Sequence, residues 1–389
     1  MKVTINNRYM ALQGLYWMLF CIPASFISLY LQGRGLSNGG IGTVTAIFGI
    51  MAALLQPVLG GITDRSRQLT WRSMTLMLAI PFLLICIIMP LIPGAWAGAI
   101  FMGLLILLGN TIMPFINSAH FYYTHAGETI NFGVARGIGS GMYAILALLI
   151  GFLAEKYGIE MVPISGILIV FLFILVVFRM PTKKKVVEPA PKEVALQKGF
   201  IHRYPAFNLM LLATLMMLSA HSILNTYLLQ IIQSVGGNSS QLGIAVALQA
   251  VVEVPVLFGF SRLIKRFRSK TLMLVAATGF AFKALMYALS GSVSMIYMIQ
   301  LAQMFSYAIF ASSSVYYTSE MVSKEDQNTG QAYLASMMGV GAVLGSLSGG
   351  WILELSGMTT MLSVNVIIAM VGVLFAILSF KNKAVHPNR

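Results

Sequence analysis

Apolar residues run in long blocks along this chain, and polar residues collect between the blocks. Twelve blocks approach the roughly 20 residues a helix needs to cross a hydrocarbon core. They cover 9–32, 39–63, 73–93, 96–122, 132–155, 160–180, 206–232, 241–261, 271–290, 294–319, 329–353 and 359–380. The connections are short except at 181–205, where Lys, Glu and Pro crowd together. This break falls after the sixth block. It divides the chain into a six-helix bundle (1–180), a cytoplasmic linker (181–205) and a second six-helix bundle with a short cytoplasmic tail (206–389). The pattern predicts an all-α membrane protein with twelve transmembrane helices. The first block is too long for a signal peptide and reads as a spanning helix.

An internal repeat supports the division. Arg72-Ser73-Met74-Thr75-Leu76-Met77-Leu78 returns as Arg268-Ser269-Lys270-Thr271-Leu272-Met273-Leu274, with one mismatch. Both copies follow a basic loop and open an apolar block. The halves are therefore expected to be copies of one bundle related by a pseudo-two-fold axis, a layout many transporters use. Glycines four apart recur in the fifth block (Gly133, Gly137, Gly141) and the eleventh (Gly341, Gly345, Gly349). Such stripes let another helix approach closely, and their matching positions suggest a half–half or gating interface.

Composition excludes a soluble domain. Apolar residues make up 58% and charged residues 9%, against about a quarter charged in soluble proteins. The net charge of +14 does not point to nucleic acid, because the basic residues lie in short loops. With the N-terminus in the cytoplasm, 21 of the 25 Lys and Arg fall on the cytoplasmic side and two, Arg34 and Lys156, outside. The excess of positive charge predicts cytoplasmic N- and C-termini. Cys21 and Cys86 both fall in apolar blocks, so they read as small buried side chains rather than a disulfide or metal pair.

Charge inside a span costs about 2.5–3.5 kcal/mol on insertion scales, so each case is informative. Glu253 is the one carboxylate deep in a block, with Gln249 a turn before it. Such a carboxyl can load and release a proton, since burial disfavours its charged form. Lys283 lies mid-block in the next helix, either paired with Glu253, bound to substrate or reaching to the cytoplasmic interface. Arg136 stands near the start of the fifth block. Uncharged polar residues form stripes: Asn110 with Asn117, His221 with Asn225, and Gln300, Gln303 and Tyr307 on one face. Each alone is ordinary interhelical glue; together they suggest a cavity for a polar solute. Asp64 and Arg65 end the second block beside Gly60 and Gly61, glycines that permit close helix approach and a gating contact.

No metal-spaced Cys/His set, nucleophile elbow or phosphate loop is present. The chain is therefore read as no enzyme, with no metal and no cofactor. Transport must run on a gradient, with the proton as the expected coupling ion.

Gly60-Gly61-Ile62-Thr63-Asp64-Arg65, twelve spans and a long central loop resemble the major facilitator superfamily. Asn131-Phe132-Gly133-Val134-Ala135-Arg136-Gly137 is similar to the fifth-helix segment of its oligosaccharide:proton symporters and phenylpropionate permeases, where the Arg lines the substrate site. Val252-Glu253-Val254-Pro255 resembles their eighth helix, whose acidic residue helps bind substrate. Ala220-His221 resembles the seventh helix of phenylpropionate permeases, and Lys283 falls where lactose permease has an Arg. Ser118 stands in place of a sugar-binding carboxylate, and Gln303 and Ser306 replace the His and Glu of lactose-type coupling. Lactose is therefore not the expected substrate, and an anionic or aromatic acid becomes a candidate. The fifth helix lacks the Gly-Pro step of drug antiporters. The resemblance implies a proton-coupled permease of a bacterial plasma membrane for a sugar, nucleoside or aromatic acid. Such a permease has the lipid bilayer as its surroundings and works as a monomer. Proton-driven efflux of sugars or drugs, and a non-transporting receptor, are the alternatives.

Overall fold

The computed structural model describes residues 4–66, 68–181, 200–323 and 326–381, with the side chains of His125 and Ile201 excepted. Most of the predicted linker, the C-terminal tail, and the topology residues Lys2, Arg67, Lys183, Lys184, Lys185, Lys192, Lys198, Lys324, Lys383 and Arg389 lie outside the described residues.

The described residues are helical throughout and contain no strand. The first six spans are α1 (Ile5–Gly33), α2 (Asn38–Arg65), α3 (Trp71–Leu91), α4 (Ala95–His125), α5 (Phe132–Tyr157) and α6 (Met161–Arg179). After one short turn, Phe200–Arg203, come α7 (Pro205–Thr226), α8 (Ser239–Arg266), α9 (Ser269–Ala288) and α10 (Val293–Met321). Sequence-local chemistry sets many of the starts. Thr4, Ser37, Asn131 and Ser292 each accept a hydrogen bond from the first turn of their helix, and Thr70 with Ser73 forms a reciprocal capping box. Such caps satisfy backbone N–H groups that have no intrahelical partner. The duplicated segment occupies the same place twice, opening α3 at Arg72 and α9 from Ser269.

The last two predicted blocks are joined. Residues Gln327–Lys381 form one continuous helical assignment of 55 residues, broken at Gly357 with φ 82° and ψ 176°. A straight helix of that length would span about 80 Å, far more than a bilayer core of about 30 Å. Packing shows a fold-back instead. Gly341 and Gly345 abut Leu215 and Ser219 of α7, while Gly372 abuts Met216 and Met217. The chain thus turns at Gly357 and returns, giving α11 (327–356), parallel to α7, and α12 (358–381), antiparallel to it. Only glycine takes a φ of this sign without strain.

Two predicted blocks are less regular than their composition implied. The seventh stops at Tyr227 and continues as a separate short helix, Leu228–Ser234. The tenth is helical over Val293–Gln300, tightens into a 3₁₀ turn at Leu301–Met304, and resumes at Tyr307–Met321. The expected face of Gln300, Gln303 and Tyr307 is thus interrupted: Gln300 ends one α-helical piece, Gln303 lies in the 3₁₀ turn, and the α-helix resumes only at Tyr307.

Large apolar side chains cover the exterior: Leu54, Trp96, Leu168, Met298, Leu355 and Ile367 are all more than 60% exposed. A continuous apolar exterior of this kind requires lipid. The chain divides into two compact units. The first holds the N-terminal half together with Gly237–Val251, and the second holds the rest, including Val252–Arg389.

The two glycine stripes differ in what they pack against. Gly341, Gly345 and Gly349 do form a close-packing face, but its partner is α7 inside the second unit. Tyr227 donates to the Ser346 carbonyl at 2.6 Å and Ser222 to the Ala342 carbonyl at 2.7 Å across the same contact. A Cβ at Gly141 would meet nothing within 4 Å. In α5 the close approaches fall elsewhere, at Gly139 against Trp17 and at Gly151 against Gly243. Periodic spacing alone does not say which glycine has a neighbour: within its own unit Gly141 has none within 4 Å, whereas Gly345 is pressed against the Ser219 backbone.

Candidate functional site

In the second unit, three buried polar side chains from three helices form one chain. Lys283 of α9 donates from Nζ to Gln303 Oε1 at 2.6 Å, and Gln303 Nε2 donates to Glu253 Oε1 at 2.9 Å. Their exposures are 1% for Lys283, 0% for Gln303 and 9% for Glu253. Sequence reasoning picked all three residues. It anticipated a Lys283–Glu253 pair, and the structure links the two through the amide. Reach of Lys283 to the interface is ruled out by its burial and its bond.

Local structure explains the convergence. Gly279 and Lys283 lie one turn apart, so both face α10. A Cβ at Gly279 would lie 2.7 Å from the Phe305 carbonyl carbon. The missing side chain lets the α9 backbone come up against the break in α10, and Lys283 then reaches the turn that carries Gln303. Ser306, at φ −103° and ψ −94°, closes that break by donating its hydroxyl to the Ala302 carbonyl at 3.0 Å. Charged groups held by hydrogen bonds in an apolar interior are tolerated where such partners exist; each charge-assisted bond contributes about 1.5–3 kcal/mol.

Beside this chain, His221 and Asn225 of α7 are joined at 2.8 Å. The imidazole stacks on Tyr307, with centroids 4.9 Å apart and planes 11° apart, and meets Phe280 edge-on at 5.5 Å. The four-residue spacing of His221 and Asn225 thus brings their side chains together. Tyr307 and Phe280 enclose the imidazole, and no pattern in the sequence singles out Phe280.

The first unit holds Arg136. Its guanidinium lies 3.7 Å from the Trp17 ring centre and donates to Ser140 Oγ at 3.0 Å. Trp17 Nε1 donates to Gln13 Oε1 at 3.2 Å, and Gln13 Nε2 donates to the Tyr9 hydroxyl at 2.8 Å. Tyr9, Gln13 and Trp17 recur every four residues and form one face of α1. Trp17 was missed from sequence because its partner lies on another helix. The four-residue polar–aromatic stripe was the available signal. Asn117 is half-buried on α4, and Gln249 is half-buried in the part of α8 that belongs to this unit. Glu253, a turn later, belongs to the second unit.

Asp64 and Arg65 are exposed at the end of α2. A Cβ at Gly60 or Gly61 would meet nothing within 4 Å. Among the described residues, no group of three or more His, Cys, Asp and Glu could hold a metal ion.

Lipid-covered helices in two compact units, with charged and amide side chains buried at mid-span, define a polytopic membrane transport protein. The chain belongs to the MFS_1-like family, within the major facilitator superfamily: the family's model matches residues 9–364. A maltose permease of Geobacillus stearothermophilus is 27% identical over 353 residues, covering 87% of this chain and 86% of that protein. The crystal structure of the nucleoside transporter NupG superposes with a TM-score of 0.80 at 16% identity, covering 97% of this chain and 100% of that one. A bacterial homologue of the human lysosomal transporter Spinster, inward-facing and unoccupied, gives 0.69 at 14% identity, covering 98% of each chain. These two likenesses establish the fold.

Proposed function

We propose that this protein takes up a small organic solute (a sugar, a nucleoside or an aromatic acid) in symport with protons, by alternating access. It acts as a monomer in a bacterial plasma membrane, with both termini cytoplasmic and no cofactor besides the coupling proton. The observation that carries this reading is the buried chain Lys283–Gln303–Glu253. A carboxyl group buried at mid-span exchanges a proton more readily than it holds a bare charge.

In this reading Glu253 is the proton site, with Lys283 as its counter-charge. Arg136, His221, Asn225, Asn117, Gln249 and Gln303 are the solute's hydrogen-bonding and stacking partners. Asp64 and Arg65, beside Gly60 and Gly61, act as the gate at the cytoplasmic end of α2. The similarity to a maltose permease supports a sugar. The cation–π stack of Arg136 on Trp17 supports a solute with a carboxylate or a planar ring.

The test is uptake into proteoliposomes under an imposed pH gradient, with maltose, uridine and 3-phenylpropionate as probes. Gradient-driven uptake of one probe, lost in Glu253→Gln, is expected. Uptake that ignores the gradient in wild type removes proton coupling, and an unaltered gradient response in the variant removes Glu253. Accumulation only against an outward gradient would reverse the direction to export.

A further inference from the structure

We propose that the turn between α8 and α9 docks the headgroup of an anionic phospholipid on Arg262, Lys265, Arg266 and Arg268, with the Phe267 ring set into the membrane surface. This surface lies apart from the buried chain of Lys283, Gln303 and Glu253, and the inference does not rest on proton coupling.

The two copies of the repeat treat this turn differently. Residues 262–270 carry five basic side chains, Arg262, Lys265, Arg266, Arg268 and Lys270, whereas the aligned stretch of the first half, 66–74, carries two, Arg67 and Arg72. The first unit absorbs its aromatic–basic pair into its own packing. Trp71 is 5% exposed and meets Tyr123 edge-on at 6.0 Å, while Arg72 donates to the Met180 carbonyl at 3.2 Å and lies 5.1 Å from the Phe178 ring centre. The corresponding pair in the second unit, Phe267 and Arg268, is exposed, Phe267 by 43%. Arg262, Lys265 and Arg266 are exposed as well, and the Arg266 guanidinium lies 5.8 Å from the Phe267 ring centre. Lys270, the fifth, sits 5.2 Å from the Phe380 ring centre and packs on α12. A topology signal needs only a bias of charge between loops. It gives no reason for an exposed aromatic ring amid the charges, or for so much more charge in one copy.

Helix geometry sets the direction in which the cluster faces. Arg262 follows Glu253 by nine residues, about two and a half turns, so it stands on the opposite side of α8. Glu253 is turned to α10, where it accepts from Gln303 at 2.9 Å. Phe258, Arg262 and Arg266 recur every four residues and form one stripe, and Phe258 is 51% exposed. An apolar ring followed by guanidinium groups along one stripe matches a lipid, with acyl chain first and phosphate after it. A soluble anion would leave the apolar part unused. Guanidinium groups bind phosphate oxygens through paired N–H donors, and basic clusters at the end of a spanning helix attract anionic headgroups. Glu320, the acidic group seen at this turn, accepts from the Ser269 hydroxyl at 2.6 Å, and the cluster keeps its positive excess.

The experiment places the full-length protein in phosphatidylcholine nanodiscs that contain an equal fraction of either brominated phosphatidylglycerol or brominated phosphatidylcholine. Bromine quenches nearby tryptophan. Phe267→Trp supplies the probe, and the wild-type signal from Trp17, Trp71, Trp96 and Trp351 is subtracted. Stronger quenching by the anionic lipid is expected, equivalent to about a fivefold preference that weakens as salt is raised. Changing Arg262, Lys265, Arg266 and Arg268 together to Gln should abolish the preference and leave quenching by brominated phosphatidylcholine as it was. If that variant does not fold, Arg262→Gln with Lys265→Gln, and separately Arg266→Gln with Arg268→Gln, should each lower the preference part-way. Equal quenching by the two lipids while all four basic residues are present overturns the proposal, as does a preference that survives their replacement. Loss of the preference on adding soluble glycerol phosphate at the concentration of the anionic lipid would assign the cluster to a free phosphate and also overturn lipid docking.

Discussion

The guanidinium of Arg136 lies 3.7 Å from the centre of the Trp17 indole, and Gly139, on the same face of α5, leaves the space that the indole fills. The stack joins α5 to α1, and a hydrogen-bonded line through Gln13 to Tyr9 holds the ring in place. A cation over an indole is worth about 0.5–2 kcal/mol, more as water is removed. Trp17→Leu should raise the KM of the transported probe about tenfold, the equivalent of roughly 1.4 kcal/mol. Trp17→Phe, which keeps an aromatic face, should cost less. Equal KM values in wild type and both variants, measured in proteoliposomes, would separate the stack from solute binding.

The Lys283–Gln303–Glu253 chain predicts a strong non-additivity. Lys283→Met alone leaves a buried carboxylate with its counter-charge gone, and Glu253→Gln alone leaves a buried ammonium. Breaking such a pair from one side typically destabilises by about 3–5 kcal/mol, whereas replacing both partners is often nearly neutral. Thermal melting of the two single variants and the double variant in one detergent measures this directly. Additive losses in the double variant would mean that the two charges are energetically independent.

The two glycine stripes predict opposite outcomes for one substitution. At Gly345 a Cβ would run into the backbone of Ser219, whereas at Gly141 it meets nothing within 4 Å. Gly345→Ala should therefore destabilise by about 1–3 kcal/mol through overpacking. Gly141→Ala should hold or gain a few tenths, since Ala is the better helix former. Melting temperatures of the two variants decide the point, and the same change at both sites would contradict the packing described.

Within the first unit, Glu155 near the end of α5 accepts a hydrogen bond from the Ser239 amide at 3.0 Å, so it caps the start of α8. Gly151 and Gly243 bring the two backbones together just beside it: a Cβ at Gly151 would lie 2.7 Å from the α-carbon of Gly243. Removing the cap by Glu155→Ala should cost about 1 kcal/mol. Hydrogen exchange should then quicken at the first amides of α8 and not at the start of α9. Unchanged exchange at Ser239–Leu242 would show that the cap is not limiting.

Much of the architecture was legible from the chain alone. Burying about 20 apolar residues per span is a one-dimensional demand, so the number and approximate limits of the helices follow from block lengths. The rarity of charge inside the blocks likewise exposed Glu253, Lys283 and Arg136, because a charge there must have a reason to persist. The gap between the last two blocks, 354–358, already marked the fold-back at Gly357. The break inside the tenth block was not legible, because its backbone at Phe305 and Ser306 packs against Gly279 of another helix, α9.

The chain alone marks a helical membrane protein of two related halves, with Glu253 and Lys283 buried mid-span. Tertiary packing then places an amide between those two charges, sets Trp17 under Arg136, and presses Gly345 against α7 while leaving open space at Gly141. The physical reason is the same in each case. Hydropathy and charge are properties of single positions that the membrane reads directly, whereas a hydrogen bond or a close contact belongs to two helices whose relative rotation no local pattern encodes.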